Sequence, residues 1–373
     1  FFAEVFSDLG KGIFDKDKRE GDIILTIEPE VERALHQELK EVLKDFSSDL
    51  AGGISLTPKP GARYAMEVLP SFDPNNVRAV KSNSLLGNPL VENVYEMGSI
   101  VKPLTMAAGL DAGVINSKTT YYDNGFVMFS NAKISNFDGK GRGTVPMQEV
   151  LNQSLNTGMV YVQQKLGREK FRGYMLNYGL GVETGIDLPG ETSGLVKNLQ
   201  SDRDIEYATA SFGQGIAMTP IGTVRALSVL ANGGRLIEPH LIDTIDHKGG
   251  FSQKPSYTTE GKQVITQKTS EEITRMLVLV VDKALLGGTV KIPEYSVAAK
   301  TGTAQISQEN GKGYYQDRFL HSFFGYFPAY DPQFLIFLYT VNPKGVSFAS
   351  HTLTYPFIRL TKFLLNYYEI PPD

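Results

Sequence analysis

The most informative segment of the chain is YEMGSIVKPLT, residues 95–105. It places Ser99 and Lys102 three positions apart, and residues three apart on a helix lie on the same face. Pro103 fits poorly inside a helix, so a helix is predicted to begin close to Ser99 and to run to Asp111. A serine hydroxyl becomes a good nucleophile when a base removes its proton. The stretch therefore predicts a serine nucleophile at a helix N-terminus, with Lys102 as its base.

Two further motifs follow along the chain. Ser154 and Asn156 form a Ser-x-Asn motif, which we place on one predicted helix over residues 145–166. The third motif is KTGT, residues 300–303, on a predicted strand. Ser-x-x-Lys, Ser-x-Asn and Lys-Thr-Gly in this order are typical of β-lactamases and penicillin-binding proteins. The three motifs together predict acyl transfer through a covalent serine intermediate.

The polar side chains of these motifs divide into chemical roles. Lys102 can act as a base only if its pKa is lowered, and burial or a second cation such as Lys300 would lower it. Ser154 can pass a proton to a leaving amine, and Asn156 can hydrogen-bond a substrate. We therefore predict these four residues, with the nucleophile Ser99, as the catalytic group.

The predicted strand offers a substrate-binding edge. Lys300, Thr301 and Thr303 supply a cation and two hydroxyls suited to a carboxylate. Gly302 has no side chain, so we expect a substrate backbone to lie along the strand there. The backbone N–H groups of Thr303 and Ser99 are predicted to form an oxyanion hole.

Composition excludes several other classes of protein. The 373 residues carry a net charge of -4, which argues against a nucleic-acid partner, and contain no cysteine. A thiol nucleophile and a thiolate zinc site are therefore excluded. The five histidines show no metal-binding spacing, so neither a metal nor another cofactor is expected. Because residue 1 is Phe, we interpret the chain as a processed or excised piece.

The order of predicted elements indicates an α+β fold. Predicted strands, among them residues 334–341, lie near both ends of the chain and predicted helices lie between them. One predicted helix begins at Pro220 with Thr219 as its N-cap, and another covers residues 270–286. Residues 1–21 are interpreted as a linker or the remnant of an N-terminal domain, and residues 22–373 as one catalytic domain.

Sequence blocks well beyond the motifs resemble class B penicillin-binding proteins. Besides residues 95–105, they are DIILTI at 22–27, PSFDPN at 70–75, SFGQG at 211–215 followed by TP at 219–220, AKTGTAQ at 299–305 and HSFFG at 321–325. Met97 departs from the family, which usually has proline at that position.

The resemblance implies a five-stranded antiparallel sheet with helices on both faces. It also implies a D,D-transpeptidase that cross-links peptidoglycan stem peptides, releases D-alanine and is acylated by β-lactam antibiotics. The motif forms are more similar to septal than to elongation members. Expected partners are a membrane glycosyltransferase and a division or elongation complex. The expected location is the periplasm or the outer face of the cytoplasmic membrane, with the single-pass anchor outside this chain.

Two other functions remain open from the sequence. A serine β-lactamase shares the three motifs but hydrolyses its acyl-enzyme, and a penicillin-binding sensor or scaffold would be acylated without turning over peptide. A second Ser-x-x-Lys, residues 130–133, is interpreted as a chance match at a strand end and turn. The basic run GKGRG, residues 139–143, is interpreted as a flexible loop without phosphate-binding function.

Overall fold

The computed structural model describes residues 21–59, 62–80, 82, 85–130, 132–247, 250–257, 261–308 and 313–373. The predicted linker lies outside these ranges except for Gly21, so it stays a prediction. The strands are β1 (Gly21–Leu25), β2 (Leu50–Leu56), β3 (Arg63–Leu69), β4 (Thr120–Asp123), β5 (Phe126–Phe129), β6 (Ala132–Ser135), β7 (Gly143–Pro146), β8 (Ile242–His247), β9 (Ser252–Gln253), β10 (Ala298–Ser307), β11 (Tyr314–Phe327) and β12 (Phe334–Val341). The α-helices are α1 (Pro29–Phe46), α2 (Pro89–Glu92), α3 (Lys102–Asp111), α4 (Met147–Asn152), α5 (Asn156–Leu166), α6 (Arg168–Asn177), α7 (Asp204–Ala210), α8 (Pro220–Ala231), α9 (Gln267–Leu279), α10 (Ala349–Thr352) and α11 (Thr354–Tyr367).

The central sheet has five antiparallel strands in the order β10-β11-β12-β2-β3. Its middle strand β12 reads FLIFLYTV and is buried except at its last residue, as expected for a strand covered on both faces. The strand β10, which carries the third motif, lies at one edge and pairs only with β11 within this sheet. The predicted five-stranded antiparallel sheet is confirmed.

The sheet separates two hydrophobic cores. On one face pack α1 and α11, and the buried stripe of α1 consists of Val31, Leu35, Leu39 and Val42. On the other face pack α3, α5, α8 and α9, in a larger cluster that reaches Phe337 of β12. Helices therefore cover both faces, and the α+β prediction is confirmed.

Two predicted elements differ from the structure. Residues 145–166 do not form one helix, because β7 ends at Pro146 and α4 and α5 are separated at residues 153–155. Ser154 has a backbone φ of +54°, which an α-helix does not accommodate. The predicted helix over residues 270–286 begins earlier, at Gln267, and passes from α9 into the π-helical turn Val280–Ala284.

The N-terminus of α8 has the predicted cap. Thr219 accepts a hydrogen bond from the Gly222 N–H at 3.0 Å, and Pro220 occupies the first helical position. The side chain thus satisfies one of the backbone donors that lack a partner within the helix.

Candidate active site

Ser99 lies in a tight helical turn directly before α3. The segment Gly98–Val101 is a 3-10 turn, and the Lys102 N–H donates to the Ser99 carbonyl. Side chains three residues apart eclipse one another in 3-10 geometry, so Ser99 and Lys102 share a side more closely than in an α-helix. Pro103 follows in the first turn of α3, where its missing N–H costs no hydrogen bond. The predicted helix start near Ser99 is confirmed.

The edge strand β10 packs directly against this turn. A Cβ atom on Gly302 would lie 2.4 Å from Ser322 Oγ, 2.7 Å from the Met97 carbonyl oxygen and 3.0 Å from the Ile100 nitrogen. The Ser322 hydroxyl also donates to the Met97 carbonyl at 2.8 Å. Glycine is therefore required so that the strand can approach the Ser99 turn. From the sequence, Gly302 was predicted to let a substrate backbone lie along the strand, and that role stays a prediction.

Both motif lysines converge on Ser154. The fully buried Lys102 donates from Nζ to the Ser154 carbonyl oxygen at 2.5 Å and to its Oγ at 3.1 Å. Lys300 donates from Nζ to the same Oγ at 3.2 Å and to the Thr301 carbonyl oxygen at 3.0 Å. The Ser154 hydroxyl thus lies between the two amines and links the helix of the first motif to the strand of the third.

Burial makes both amines unusually easy to deprotonate. Burial lowers the pKa of Lys102 well below its ordinary value, and the nearby charge of Lys300 lowers it further. Burial also lowers the pKa of Lys300 to about 8. A lysine with a lowered pKa can act as a general base near neutral pH, which a solvated lysine cannot.

The second motif lies at a break between α4 and α5, where the sequence had predicted continuous helix. Asn156 is the first residue of α5, and its Nδ2 donates to the Ser135 carbonyl at 2.9 Å. The left-handed backbone of Ser154 turns the chain there. The break brings Ser154 between the two lysines.

A cavity of about 740 Å³ joins the predicted site residues. Its lining includes Ser99, Ser154, Asn156, Lys300, Thr301 and Thr303. The buried Lys102 lies behind Ser154, and Gly302 faces the Ser99 turn. On strand β10 the hydroxyl residues thus face the cavity and the glycine faces the protein, as strand alternation requires.

Three residues that line the cavity were not predicted from the sequence. Phe137 and Phe348 approach edge to face, with ring centroids 5.7 Å apart, and both line the cavity. Arg142 also lines it, and its side chain is 16% exposed because it pairs with Asp138 and donates from Nε to Gln153 at 2.9 Å. The segment between β6 and β7 is a loop, as interpreted, but the Arg142 side chain within it is held by these partners. The basic residues of 139–143 were the only hint in the sequence, which does not show that Asp138 and Gln153 bind Arg142.

The second Ser-x-x-Lys lies in the hairpin between β5 and β6, and Asn131 within it is outside the described ranges. Ser130 has a φ of +46°, and the Lys133 amine lies over the Phe126 ring, 4.4 Å from its centroid. The Lys133 amine is thus engaged by the Phe126 ring, which agrees with the interpretation of residues 130–133 as a chance match. In the part of the chain that the structure describes, no group of three or more His, Cys, Asp or Glu could hold a metal ion.

Comparisons with known proteins agree with this geometry. Residues 53–359 match the family described as "Penicillin binding protein transpeptidase domain". Stage V sporulation protein D of Bacillus subtilis is 34% identical over 342 residues, which cover 90% of this chain and 52% of that protein. Peptidoglycan D,D-transpeptidase FtsI of Buchnera aphidicola is 27% identical and covers 94% of this chain and 59% of that protein.

Solved structures show the same fold. Penicillin binding protein 3 from Mycobacterium tuberculosis, in its apo form, superposes with a TM-score of 0.87 at 23% identity, over 97% of this chain and 83% of that one. A peptidoglycan synthetase from Bifidobacterium adolescentis has a TM-score of 0.85 at 23% identity, over 95% and 63% of the two chains.

The chain belongs to the penicillin-binding protein transpeptidase domain family, and the predicted family is confirmed. It spans only about half to three fifths of the length of these two curated relatives. Among the described residues, no helix is both long and apolar enough to cross a membrane.

Proposed function

We propose that this chain is a serine D,D-transpeptidase domain of the septal class B type. It cross-links peptidoglycan stem peptides through an acyl-enzyme on Ser99, and β-lactam antibiotics acylate the same serine. The relatives named for sporulation and as FtsI support this substrate class and the septal type. A β-lactam complex is also known for a structural neighbour, the Mycobacterium tuberculosis protein with aztreonam.

One observation carries the proposal: two buried lysines share one serine hydroxyl beside the turn that bears the nucleophile. Lys102 and Lys300 donate to Ser154 Oγ at 3.1 and 3.2 Å, and Ser99 and Ser154 line the same cavity. Neutral Lys102 is the base that takes the Ser99 proton. Protonated Lys300 keeps the pKa of Lys102 low and holds the substrate carboxylate together with Thr301 and Thr303.

The acylation step follows from these positions. Ser99 Oγ forms a bond to the penultimate D-alanine carbonyl carbon as its proton passes to Lys102. The backbone N–H groups of Ser99 and Thr303 stabilise the oxyanion. The carbon–nitrogen bond then breaks as Lys102 passes this proton through Ser154 Oγ to the leaving nitrogen, so that D-alanine departs with a neutral amine and Lys102 is neutral again. The amine of a second stem peptide then attacks the ester carbonyl carbon, and its proton passes through Ser154 to Lys102. The carbon–Oγ bond breaks, and Lys102 returns the proton to Ser99 Oγ.

The setting of the reaction forms part of the proposal. The domain works on the periplasmic side or at the outer face of the cytoplasmic membrane, beside a membrane glycosyltransferase in a division complex. The Bacillus and Buchnera relatives, which are about twice and about 1.7 times as long as their matched regions, support a longer native protein.

A turnover assay tests the proposal against both alternatives. The protein is incubated with a stem-peptide thioester donor and a D-amino acid acceptor, and Ser99→Ala serves as the control. We expect an acceptor-dependent product, in which the D-amino acid replaces the thioester leaving group, that is absent in the variant. Rapid hydrolysis of a penicillin acyl-enzyme would instead identify a β-lactamase. A stable acyl-enzyme without peptide turnover would identify a sensor or scaffold.

A further inference from the structure

A buried carboxylate lies beneath the Ser-x-Asn motif. Asp123, at the end of β4, is only 2% exposed. Its Oδ1 accepts hydrogen bonds from the Gly125 N–H at 2.9 Å and from Thr157 Oγ1 at 2.8 Å. Its Oδ2 accepts from Asn136 Nδ2 at 2.9 Å and from the Arg142 N–H at 3.1 Å. Burying an ionised carboxylate is costly unless its lone pairs are satisfied, and here donors surround both oxygens.

The partners of Asp123 hold the start of α5. Leu155, the N-cap residue, gives no side-chain cap, and the Asn136 Oδ1 accepts from the Thr157 N–H at 3.2 Å instead. The carbonyl of the neighbouring Ser135 accepts from Asn156 Nδ2 at 2.9 Å. A side chain from another segment therefore caps this helix, and Asp123 fixes that side chain.

The same network flanks Ser154 on its other side. Arg142, whose backbone N–H donates to Asp123, also donates from Nε to Gln153 Oε1 at 2.9 Å. Ser154 thus lies between Gln153 and Thr157, each of which is hydrogen-bonded to a partner of Asp123. Its φ of +54° is an unfavourable conformation for a serine, which persists only where the surroundings determine it.

We propose that Asp123 is a positioning residue that holds Ser154 between the two lysines for proton transfer. This inference rests on the proposed function, because it assigns Asp123 a part in Ser99 acylation. The Ser154 hydroxyl bridges amines at 3.1 and 3.2 Å, so a small shift of the 153–157 segment would separate it from one of them. Displacements of about 1 Å can cost about a hundredfold in rate.

Acylation kinetics with a fluorescent penicillin test the assignment. The variants Asp123→Asn and Thr157→Val remove the charge and the hydroxyl that connect β4 to α5. Thr157→Ser restores the hydroxyl. The matched control is Asp187→Asn. Asp187 likewise accepts hydrogen bonds from backbone N–H groups and a hydroxyl, those of Leu241, Ile242 and Tyr257, but none of these partners lines the cavity.

We expect the first-order acylation rate constant to fall about tenfold or more in Asp123→Asn and Thr157→Val. Affinity of the non-covalent complex should change by less than about threefold, because only the reacting geometry is lost. Thr157→Ser should recover most of the rate, and Asp187→Asn should keep it. If Asp123→Asn does not fold, the two Thr157 variants decide the question.

Two results would overturn the inference. One is an unchanged acylation rate constant in folded Thr157→Val, and the other is an equal fall in Asp187→Asn. Both leave the proposed function intact as long as the wild-type protein is acylated on Ser99. Absence of that wild-type adduct is the separate result that rejects the proposed function.

Discussion

Replacing Gly302 by alanine tests how the edge strand and the nucleophile turn depend on each other. The new Cβ would lie 2.7 Å from the Met97 carbonyl oxygen and 3.0 Å from the Ile100 nitrogen, both of which are backbone atoms. Neither can move away as a flexible side chain would, so β10 and the Ser99 turn must separate by several tenths of an ångström. Overpacking of this kind costs about 1–3 kcal/mol of folding free energy.

The same separation should slow acylation. It moves Ser99 relative to Thr303 and Lys300, and a shift well under 1 Å is expected to cost roughly tenfold in rate. Thermal unfolding and the rate of acylation by a fluorescent penicillin measure the two effects. The control is Gly173→Ala, because a Cβ there meets nothing within 4 Å and the position is helical. That control should gain about 0.5–1 kcal/mol.

If Gly302→Ala is as stable as the wild-type protein and is acylated at the same rate, the strand and the Ser99 turn do not depend on this glycine. A rate loss with unchanged stability would support instead the sequence-based role, in which Gly302 leaves room for the ligand along the strand.

Three further predictions concern proton transfer and folding. Because burial lowers the pKa of Lys300 to about 8, acylation should fall as pH rises through about 8 and Lys300 loses its proton. In Lys300→Arg, a pH–rate profile should lack this alkaline limb, since a guanidinium stays charged. Ser154→Ala should slow acylation by about a hundredfold or more, the usual contribution of a proton-transfer group, in stopped-flow measurements. Thr219→Ala should lose about 1 kcal/mol in denaturant unfolding with an unchanged acylation rate, because it removes only the α8 cap.

The sequence predicted elements whose signals are local. The apolar run of residues 334–341 and the cap at Thr219 are each signals carried by neighbouring residues, and both predictions agree with the structure. The three motifs were predicted to share one site because their chemistry is specific in combination, and residues from all three line one cavity. Family resemblance supplied the strand number.

The break at Ser154 could not be predicted from the sequence. Residues 145–166 have an apolar pattern compatible with continuous helix, and nothing local forces a positive φ on a serine. The conformation is imposed by distant groups, namely the lysines of the other two motifs and the network around Asp123. The contact of Arg142 with Gln153 could not be predicted either, because it joins side chains of two separate segments.

Mapping the site of penicillin attachment tests whether Ser99 is the nucleophile and Lys102 is its base. The protein is incubated with a penicillin, digested and analysed by mass spectrometry, with Ser99→Ala and Lys102→Ala in parallel. We expect one adduct, on the peptide that contains Ser99. It should be absent in Ser99→Ala and should form far more slowly in Lys102→Ala. An adduct on Ser130, or an adduct that forms at the wild-type rate without Lys102, would contradict it.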